Sequence, residues 1–351
     1  MRAMVLAAGL GTRLRPLTHI LPKPIIPIVN RPSLSYSLRL LERFGIDEVV
    51  INLHHGAKKV KDYLAPAARR FDVRVIFSEE EHLLGTAGGV KKMENYFQET
   101  FLVLSSDGVS NINLEEILHF HKRKRASCTV VLKETEERFK YGIAVCNEES
   151  RINQFVEKPT WGEVFSNQVN TGIYVFEPEV FSYIPESREY DFGRQVLPAM
   201  VREGEGIYGY SMEGYWTDVG NLEDYRQAHK DILKGKEGID IPGRQIKENV
   251  WIGEGNRISP QAHLIPPLVI GEGCEIEEGV KVGGGSVLGD RVRIRKGASL
   301  RQCILWDSVV VEKGAELDDC ILASDVFIPP DFSMRGGVVV RKGLLGRSHD
   351  K

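Results

Sequence analysis

The 351-residue sequence lacks the features that mark secreted, membrane-spanning or nucleic-acid-binding proteins. It has five scattered cysteines and no CxxC pair, so neither a disulfide framework nor a zinc site is indicated. It has no apolar run of about 18 residues, and the apolar stretch before Arg13 is too short for a signal peptide. The net charge of -3 gives no excess of positive charge for nucleic acid or a membrane surface. We therefore expect a cytoplasmic protein in which a few local groups hold any anionic ligand.

Short apolar runs of β character alternate with helical patterns from Met1 to about Leu233. A hydrophobic content of 42% allows a large core. One amphipathic stretch, residues 34–45, ends in Gly45, and glycine is favoured where a helix ends. The alternation predicts an open α/β sheet. Strands are predicted at residues 3–8, 49–52, 74–77 and 101–104.

A different period begins after the polar stretch 233–249. Aliphatic residues recur every six positions, and small or branched residues often stand four places later, as at Cys274 and Ala298. Each hexad predicts one short strand whose aliphatic side chain points inward, and stacked coils bury a ladder that no single coil buries alone. This pattern predicts a parallel β-helix. The aliphatic positions are Ile252, Ile258, Leu264, Ile270, Ile276, Val282, Leu288, Ile294 and Leu300, continued less strictly by Leu305, Val311, Leu317, Leu322 and Ile328.

The most specific segment is residues 6–32, in which an apolar strand runs directly into a glycine-rich turn. Gly9 and Gly11 lack Cβ atoms, so the backbone amides there can approach phosphate oxygens closely. Arg13 offers a planar fork of donors and Lys23 a compact positive charge. Together these residues suit a triphosphate.

Two familiar phosphate-binding motifs are excluded by spacing. A dinucleotide fingerprint requires a third glycine where Leu14 stands. A Walker A loop requires Gly-Lys-Ser or Gly-Lys-Thr where Gly11-Thr12-Arg13 stands.

Residues 6–32 closely resemble the signature of the sugar-phosphate nucleotidylyltransferases, G-x-G-T-R-L-x-P-x-T followed by P-K-P. Later segments resemble the family's base-recognition, first metal, sugar-phosphate, sugar and second metal segments, in that order. Within the family, the chain is most similar to mannose-1-phosphate guanylyltransferases with a carboxy-terminal β-helix. The later segments are EEEHLLGTAGG at 79–89, SSDGVSNINL at 105–114, FVEKP at 155–159, VNTGIYVFEPEVF at 169–181 and GYWTDVGNLEDY at 214–225.

The resemblance implies an α/β fold with two functional parts. A nucleotidyltransferase domain with a Rossmann-like mixed open sheet is expected at 1–235, then a linker at 236–249. A left-handed parallel β-helix is expected at 250–335, then a tail at 336–351. The handedness comes from similarity to hexapeptide-repeat proteins, because the spacing itself does not show it.

The resemblance also implies a reaction. A nucleoside monophosphate is transferred from a nucleoside triphosphate to a sugar 1-phosphate and pyrophosphate is released, with GTP and mannose-1-phosphate favoured. Mg²⁺ is the expected cofactor, a homo-oligomer formed through the β-helix is the expected assembly, and neither nucleic acid nor membrane is an expected partner. The phosphate nucleophile is already ionised at neutral pH, so no general base is needed.

Individual residues receive roles by the same resemblance. Asp107 and Asp218 are expected to hold the metal, and Arg13, Lys23 and Lys158 to act on the phosphates. The expected nucleotide contacts are Leu6, Ala7, Gly9, Gly11, Thr12, Glu80, Gly85, Thr86 and Ala87. The expected sugar-phosphate contacts are Tyr141, Gly142, Glu157, Lys158, Asn170 and Thr171.

Several alternatives remain open from the sequence. Glu80 or Glu81 reads the base, since a carboxylate can accept the two adjacent donors of guanine, or the acidic run is merely solvated. Other readings are UTP or dTTP with glucose-1-phosphate or another sugar 1-phosphate, a non-catalytic regulatory subunit, and an acyltransferase β-helix using His263. Ser106 stands where related enzymes usually have glycine, so the backbone just before Asp107 is expected to differ from theirs.

Two motifs are interpreted as decoys. Asp191-Phe192-Gly193 resembles a kinase metal motif but lacks the other kinase segments, so it is predicted to begin a helix. The basic run 121–125 is predicted to be a solvated helix end.

Overall fold

The computed structural model describes residues 1–67, 71–160, 162, 166–235 and 238–341. These residues pack as two units. The first unit is Met1–Leu10 with Ser33–Asp218, and the second joins Gly11–Pro32 to the described residues from Val219 onward. This division into units does not test the predicted domain boundaries at 235, 249 and 335, which stay predictions. Residues 236–237 of the predicted linker and 342–351 of the predicted tail lie outside the described residues.

The amino-terminal 235 residues alternate strands and helices as predicted. The strands are β1 (Arg2–Leu6), β2 (Pro27–Ile28), β3 (Arg31–Pro32), β4 (Glu48–Leu53), β5 (Arg74–Glu79), β6 (Phe101–Ser105), β7 (Gly108–Ser110), β8 (Cys128–Glu134), β9 (Gly142–Cys146), β10 (Ile152–Glu157), β11 (Gln168–Phe176), β12 (Ile207–Ser211) and β13 (Trp216–Asp218). The helices are α1 (Leu17–Ile20), α2 (Ser33–Arg43), α3 (Ala57–Ala67), α4 (Gly85–Lys91), α5 (Leu114–Lys124), α6 (Leu197–Arg202) and α7 (Leu222–Leu233).

The main sheet of the first unit is mixed. Its strand order is β10-β9-β11-β6-β1-β4-β5, and β8 and β12 extend it from β11. The strands β6, β1, β4 and β5 are mutually parallel, whereas β11 runs antiparallel to β6. The central strands read as continuous apolar runs because both faces are covered; Ala3, Met4 and Val5 are fully buried. The predicted open α/β sheet is therefore confirmed.

Local signals set several helix ends. Asn113 caps α5 by accepting the amides of Glu115 and Glu116, and Asn221 caps α7 in the same way. Asp191 precedes the helical turn Phe192–Val196, which leads into α6, so the helix-start interpretation of the kinase-like motif is confirmed.

The basic run at 121–125 is solvated only in part. It ends α5, but His121 is buried and bonds Thr129 and Glu177. Burial lowers the pKa of His121, and the neighbouring Glu177 opposes that shift.

The carboxy-terminal strands build a β-helix with three parallel ladders. The ladders are β15-β18-β21-β24-β27-β30 with β14 added antiparallel, β16-β19-β22-β25-β28, and β17-β20-β23-β26-β29. Its strands are β14 (Arg244–Lys247), β15 (Val250–Ile252), β16 (Arg257–Ile258), β17 (His263–Ile265), β18 (Leu268–Ile270), β19 (Glu275–Ile276), β20 (Lys281–Gly283), β21 (Ser286–Leu288), β22 (Arg293–Ile294), β23 (Ser299–Arg301), β24 (Ile304–Leu305), β25 (Val310–Val311), β26 (Glu316–Asp318), β27 (Ile321–Leu322), β28 (Phe327–Ile328), β29 (Ser333–Arg335) and β30 (Val338–Val339).

The predicted inward ladder is present. Ile276, Val282, Ile294 and Leu305 all belong to one buried apolar cluster inside the coils. The pairing also explains why the hexad pattern loosens after Leu300. Early coils pair residues 18 apart, as Arg257 with Glu275, whereas later coils pair residues 17 apart, as Ile304 with Ile321.

Candidate functional site

The carboxyl ends of the parallel strands meet at a topological switch point. From β1 the chain moves through β4 to β5 on one side, and then β6 returns to the other side of β1. Leu6 pairs with Asn52 and with Ser105 in one cross-strand row, and the Ser106 amide donates to the Leu6 carbonyl at 3.0 Å. Open α/β sheets bind ligands at such a point. Leu6, Ala7 and Gly9 therefore lie at the edge where a nucleotide site is expected.

A buried hydrogen-bond chain joins three of these strand ends. The Ala7 amide donates to Asn52 Oδ1 at 2.7 Å, and Asn52 Nδ2 donates to Glu80 Oε1 at 2.7 Å. The second carboxylate oxygen of Glu80 accepts the Leu84 amide at 3.0 Å. Glu80 is only 5% exposed, and both of its oxygens bond to the protein. It thus ties the ends of β1 and β4 to the loop before α4.

Sequence reasoning missed Asn52, although a signal was present. Asn52 is a polar residue near the end of an otherwise apolar strand, and a buried amide there requires partners.

The Gly-Thr-Ala start of α4 packs tightly on the segment before α6. Gly85 has a φ of 73°, and a Cβ there would lie 2.6 Å from the Tyr190 carbonyl oxygen. The Thr86 hydroxyl donates to Asp191 Oδ1 and accepts the Phe192 amide, each at 2.9 Å. The Ala87 amide donates to the Tyr190 carbonyl at 2.8 Å. The structure thus joins the predicted base loop to Asp191, a partner that the sequence did not reveal.

Asp107 and Asp218 come together through a two-stranded ladder beside the main sheet. In the antiparallel pairing of β13 with β7, Asp218 stands opposite Gly108, the neighbour of Asp107. Directly opposed residues in such a ladder have Cα atoms about 4.5 to 5.5 Å apart. The Ser105 hydroxyl donates to Asp107 Oδ1. Two half-buried aspartates brought near each other by this ladder supply carboxylate oxygens of the kind that a hard divalent cation prefers.

These two aspartates are not a complete metal cage. The described part of the chain holds no cluster of three or more His, Cys, Asp or Glu side chains suited to a metal. Mg²⁺ commonly takes one or two protein carboxylates and completes its shell with phosphate oxygens and waters. The donor set therefore fits Mg²⁺ bound together with a phosphorylated ligand.

Glu157 lies in a cradle made by two glycines. It pairs with Gly142 across β9 and β10. A Cβ on Gly142 would lie 2.5 Å from Glu157 Oε2, and a Cβ on Gly193 would lie 2.4 Å from the same atom. Burial raises the pKa of Glu157, the Lys158 charge opposes this, and Asp191 adds to it. The two glycines thus leave room for a carboxylate at this position.

Lys158 follows at the end of β10 with an exposed side chain. Its φ of 50° is left-handed, and its amide donates to the Tyr141 carbonyl at 3.2 Å. The Tyr141 ring meets Trp216 edge-on with centroids 5.2 Å apart. Trp216 stands two residues before Asp218 in β13, so this contact joins the predicted sugar-phosphate segment to the β7–β13 ladder.

Asn170 and Thr171 lie where β11 bulges away from β8 between Asn170 and Tyr174. Asn170 Nδ2 donates to the Tyr174 hydroxyl at 2.7 Å, and Asn170 Oδ1 accepts the Gly172 amide at 3.0 Å. The Thr171 hydroxyl donates to the Val131 carbonyl at 2.9 Å and is buried. Asn170 is therefore oriented by Tyr174, a residue that the sequence did not single out.

The remaining predicted residues, Gly11, Thr12, Arg13 and Lys23, belong to the second unit. Gly11 has a φ of 63°, and a Cβ there would lie 2.8 Å from Thr18 Cγ2 and 3.0 Å from Lys23 Cβ. The Thr18 hydroxyl donates to the Gly11 carbonyl at 3.0 Å. Gly11 therefore permits the close turn against which the stem of Lys23 packs, while Thr12 and Arg13 are exposed.

Comparison with known proteins shows the family of the chain. A family model described as nucleotidyl transferase matches residues 2–235, and one described as the GMPPB C-terminal domain matches residues 246–348. Because the first model covers more than half of the chain, the protein belongs to the nucleotidyl transferase family. It is a nucleotidyltransferase enzyme, as the motif order predicted.

Relatives cover both parts of the chain. The protein is 32% identical over 350 residues to mannose-1-phosphate guanylyltransferase 1 of Arabidopsis thaliana, covering 97% of this chain and 96% of that protein. It is 32% identical over 303 residues to mannose-1-phosphate guanylyltransferase of Mycobacterium tuberculosis, covering 86% and 83%. It is 35% identical over 322 residues to UTP–glucose-1-phosphate uridylyltransferase of Synechocystis sp., covering 87% and 83%. The names of these relatives specify two bases, guanine and uracil, and two sugars, mannose and glucose.

Among the described helices, none combines the length and the apolar character needed to cross a bilayer.

Proposed function

We propose that this protein is a sugar-1-phosphate nucleotidylyltransferase that uses GTP and mannose-1-phosphate to make GDP-mannose and pyrophosphate. The observation that carries the proposal is the pairing of β7 with β13, in which Asp218 stands opposite Gly108, the neighbour of Asp107. The contact of Trp216 on β13 with Tyr141 supports a site that also includes the Lys158 segment. Mannose-1-phosphate guanylyltransferases that align over nearly the whole chain support the choice of substrates.

The first barrier to this reaction is repulsion between two polyanions. Two unit charges about 4 Å apart interact by roughly 4 kcal/mol at an effective dielectric near 20. Mg²⁺ bound at Asp107 and Asp218 supplies neutralising charge at the phosphates. Lys158 neutralises the sugar phosphate, and Arg13 and Lys23 hold the triphosphate and the departing pyrophosphate.

The chain's own groups then align the reactants. Glu157 accepts hydrogen bonds from sugar hydroxyls, and Asn170 accepts hydrogen bonds from them or donates to them. Leu6, Ala7 and Gly9 at the end of β1 border the nucleotide. In-line alignment supplies roughly 7 to 11 kcal/mol at most. The proposed nucleophile, an ionised phosphate, needs no base.

Two glutamates of the acidic loop differ in their surroundings, which supports different roles for them. Glu80 uses both oxygens to shape the loop, whereas Glu81 is exposed. We assign Glu80 to the support of the loop and Glu81 to the recognition of guanine. Assembly through the β-helix and a cytoplasmic location stay predictions.

A second candidate is a uridylyltransferase acting on glucose-1-phosphate, favoured by the Synechocystis relative. The deciding experiment measures pyrophosphate release with Mg²⁺ for every pairing of GTP, UTP, dTTP, ATP and CTP with mannose-, glucose- and glucosamine-1-phosphate. The highest kcat/KM for GTP with mannose-1-phosphate supports the proposal. A preference for UTP with glucose-1-phosphate supports the second candidate, and no turnover with any pair contradicts both.

Gly193→Ala should weaken sugar-phosphate binding without unfolding the protein. The new Cβ would meet Glu157 Oε2 at 2.4 Å, so the carboxylate must move. Losing one charge-assisted hydrogen bond should raise KM for the sugar phosphate about tenfold or more. Steady-state kinetics with each substrate varied in turn measures this. Gly206→Ala is the control, since its Cβ would lie 3.6 Å from the nearest atom; equal effects of the two changes contradict the assignment.

The raised pKa of Glu157 should show in both activity and stability. The Glu157 carboxyl becomes protonated at a higher pH than an ordinary glutamate does. As pH falls, KM for the sugar phosphate should therefore begin to rise at a higher pH than an ordinary glutamate would cause.

The effect on stability has the opposite pH dependence. A glutamate with a raised folded-state pKa contributes stability below its unfolded pKa and loses it as pH rises through the folded pKa. Glu157→Gln should therefore raise the thermal unfolding midpoint near neutral pH and not near pH 4, while lowering activity. The exposed Glu179→Gln is the control. An unchanged or lower midpoint at neutral pH would contradict the buried-charge explanation.

A further inference from the structure

The β-helix is joined to the Lys23 segment by a relay of two hydrogen bonds, one buried and one partly buried. Trp306, just after β24, donates from Nε1 to the Tyr225 hydroxyl at 2.9 Å. The Tyr225 hydroxyl in turn donates to the Pro27 carbonyl at 2.6 Å. All three residues belong to the second unit. The relay thus runs from a coil of the β-helix through α7 to the chain four residues after Lys23.

The direction of this relay follows from the chemistry of its members. An indole N–H only donates and a carbonyl only accepts, so the middle group must do both, as a phenol hydroxyl does. Trp306 is 2% exposed and Tyr225 is fully buried. Losing the Tyr225 hydroxyl would therefore leave the Trp306 N–H buried without its acceptor and take one donor from the Pro27 carbonyl.

A second contact fixes the same segment to the same face of the β-helix. Asn30 Nδ2 donates to the Leu288 carbonyl of β21 at 2.6 Å. We call Val269, Val287, Ile304 and Ile321 the outer row, because successive side chains of a strand point to opposite faces and the next residue of each belongs to the coil core. Those core residues are Ile270, Leu288, Leu305 and Leu322. Each residue of the outer row is at most 4% exposed. This face of the β-helix is therefore a packing surface within the protein.

The segment that is held this way is stiff where Lys23 begins a short helical turn. Lys23–Ile25 forms a single 3₁₀ turn in which the Ile25 amide bonds the Pro22 carbonyl at 3.0 Å and the Ile26 amide bonds the Lys23 carbonyl at 3.2 Å. Ile25, Ile26 and Ile28 are buried. A displacement of the Pro27 carbonyl is therefore passed to Lys23 through a short, buried stretch of chain.

We propose that Tyr225 and Trp306 are positioning residues through which the β-helix sets the place of Lys23 for catalysis. The inference rests on the proposed function, because it takes Lys23 to act on the triphosphate. Misplacing a reacting group by about 1 Å can cost up to a hundredfold in rate. The β-helix then has a direct role in the reaction beyond assembly.

The test compares Tyr225→Phe, Trp306→Phe and the double variant in the full-length protein. Tyr225→Phe should lower kcat/KM for the nucleoside triphosphate about tenfold, and Trp306→Phe about fivefold. The double variant should match Tyr225→Phe alone, because both changes break one relay. In a Lys23→Met background, Tyr225→Phe should cause no further loss.

The control and an activity-independent readout keep the relay separate from general destabilisation. Tyr183→Phe removes a hydroxyl that bonds Glu203 and Glu205 elsewhere, and it should leave the kinetics unchanged. Hydrogen exchange at the Ile25 and Ile26 amides should accelerate about tenfold in Tyr225→Phe and stay unchanged in Tyr183→Phe.

Each outcome either supports or contradicts the positioning of Lys23 by the relay. Wild-type exchange and kinetics in Tyr225→Phe, or a further loss in the Lys23→Met background, would overturn the relay. If the wild-type protein turns over no substrate pair, the proposed function fails and the catalytic role falls with it. The exchange rates then still show whether the relay holds the Lys23 turn.

Discussion

Replacing Asp107 or Asp218 by asparagine should lower kcat about a thousandfold or more while the protein stays folded. Each change removes one negative charge from the pair formed by Asp218 on β13 and Asp107, which directly precedes β7. A cation held by these aspartates would supply several kcal/mol of charge stabilisation in the transition state, and about 4 kcal/mol corresponds to roughly a thousandfold in rate. Asparagine keeps the shape and leaves an oxygen for the Ser105 hydroxyl.

The measurement is pyrophosphate release as Mg²⁺ is varied. Both variants should require higher Mg²⁺ for half-maximal rate, since a carboxylate ligand has become neutral. Asp47→Asn is the matched control, because Asp47 is exposed at the opposite, amino-terminal end of β4. Wild-type turnover and Mg²⁺ dependence in either Asp107→Asn or Asp218→Asn would remove the metal assignment.

The sequence predicted the features whose signal is local. The strands predicted at 49–52, 74–77 and 101–104 are present as β4, β5 and β6. A short apolar run bounded by polar residues is typical of a buried strand. The β-helix was readable because each coil repeats the same requirement for an inward aliphatic residue. The family was readable because several motifs occur in one order.

Other features depend on contacts between residues distant in sequence. Residues 11–32 pack with the β-helix and α7 in the second unit, although the motif is continuous with β1. Thr86 meets Asp191 across 105 residues, and a motif read as a helix start gave no sign of this second role. The hexad pattern predicted only the inward ladder, so the buried outer row of Val287 and Ile304 was missed. An aliphatic residue on the outside of a coil has no periodic signature that distinguishes packing from exposure.

The contacts of individual site residues also differ from those that the resemblance implied. Thr171 and Glu80, expected as ligand contacts from the resemblance, bond to Val131 and to Asn52 within the protein. A resemblance assigns a residue to a segment, whereas the direction of its side chain depends on neighbours from other strands. Glu157 shows the converse, because the absence of side chains at Gly142 and Gly193 leaves room for its carboxylate.

Lys158→Gln should lower kcat/KM for the sugar phosphate up to about a hundredfold while KM for the nucleoside triphosphate changes little. Lys158 is exposed and follows Glu157 at the end of β10, where its amide is held by the Tyr141 carbonyl. Glutamine is neutral and one atom shorter than lysine, so the variant loses a charge-assisted bond to phosphate worth about 1.5 to 3 kcal/mol. Lys158→Arg should restore only part of the activity, since a planar guanidinium does not replace a compact ammonium.

Steady-state kinetics with each substrate varied in turn separates the two constants, with Lys122→Gln on the exposed end of α5 as the control. Equal losses for both substrates would move Lys158 away from the sugar phosphate, because a residue bound to one phosphate should leave the affinity for the other substrate intact.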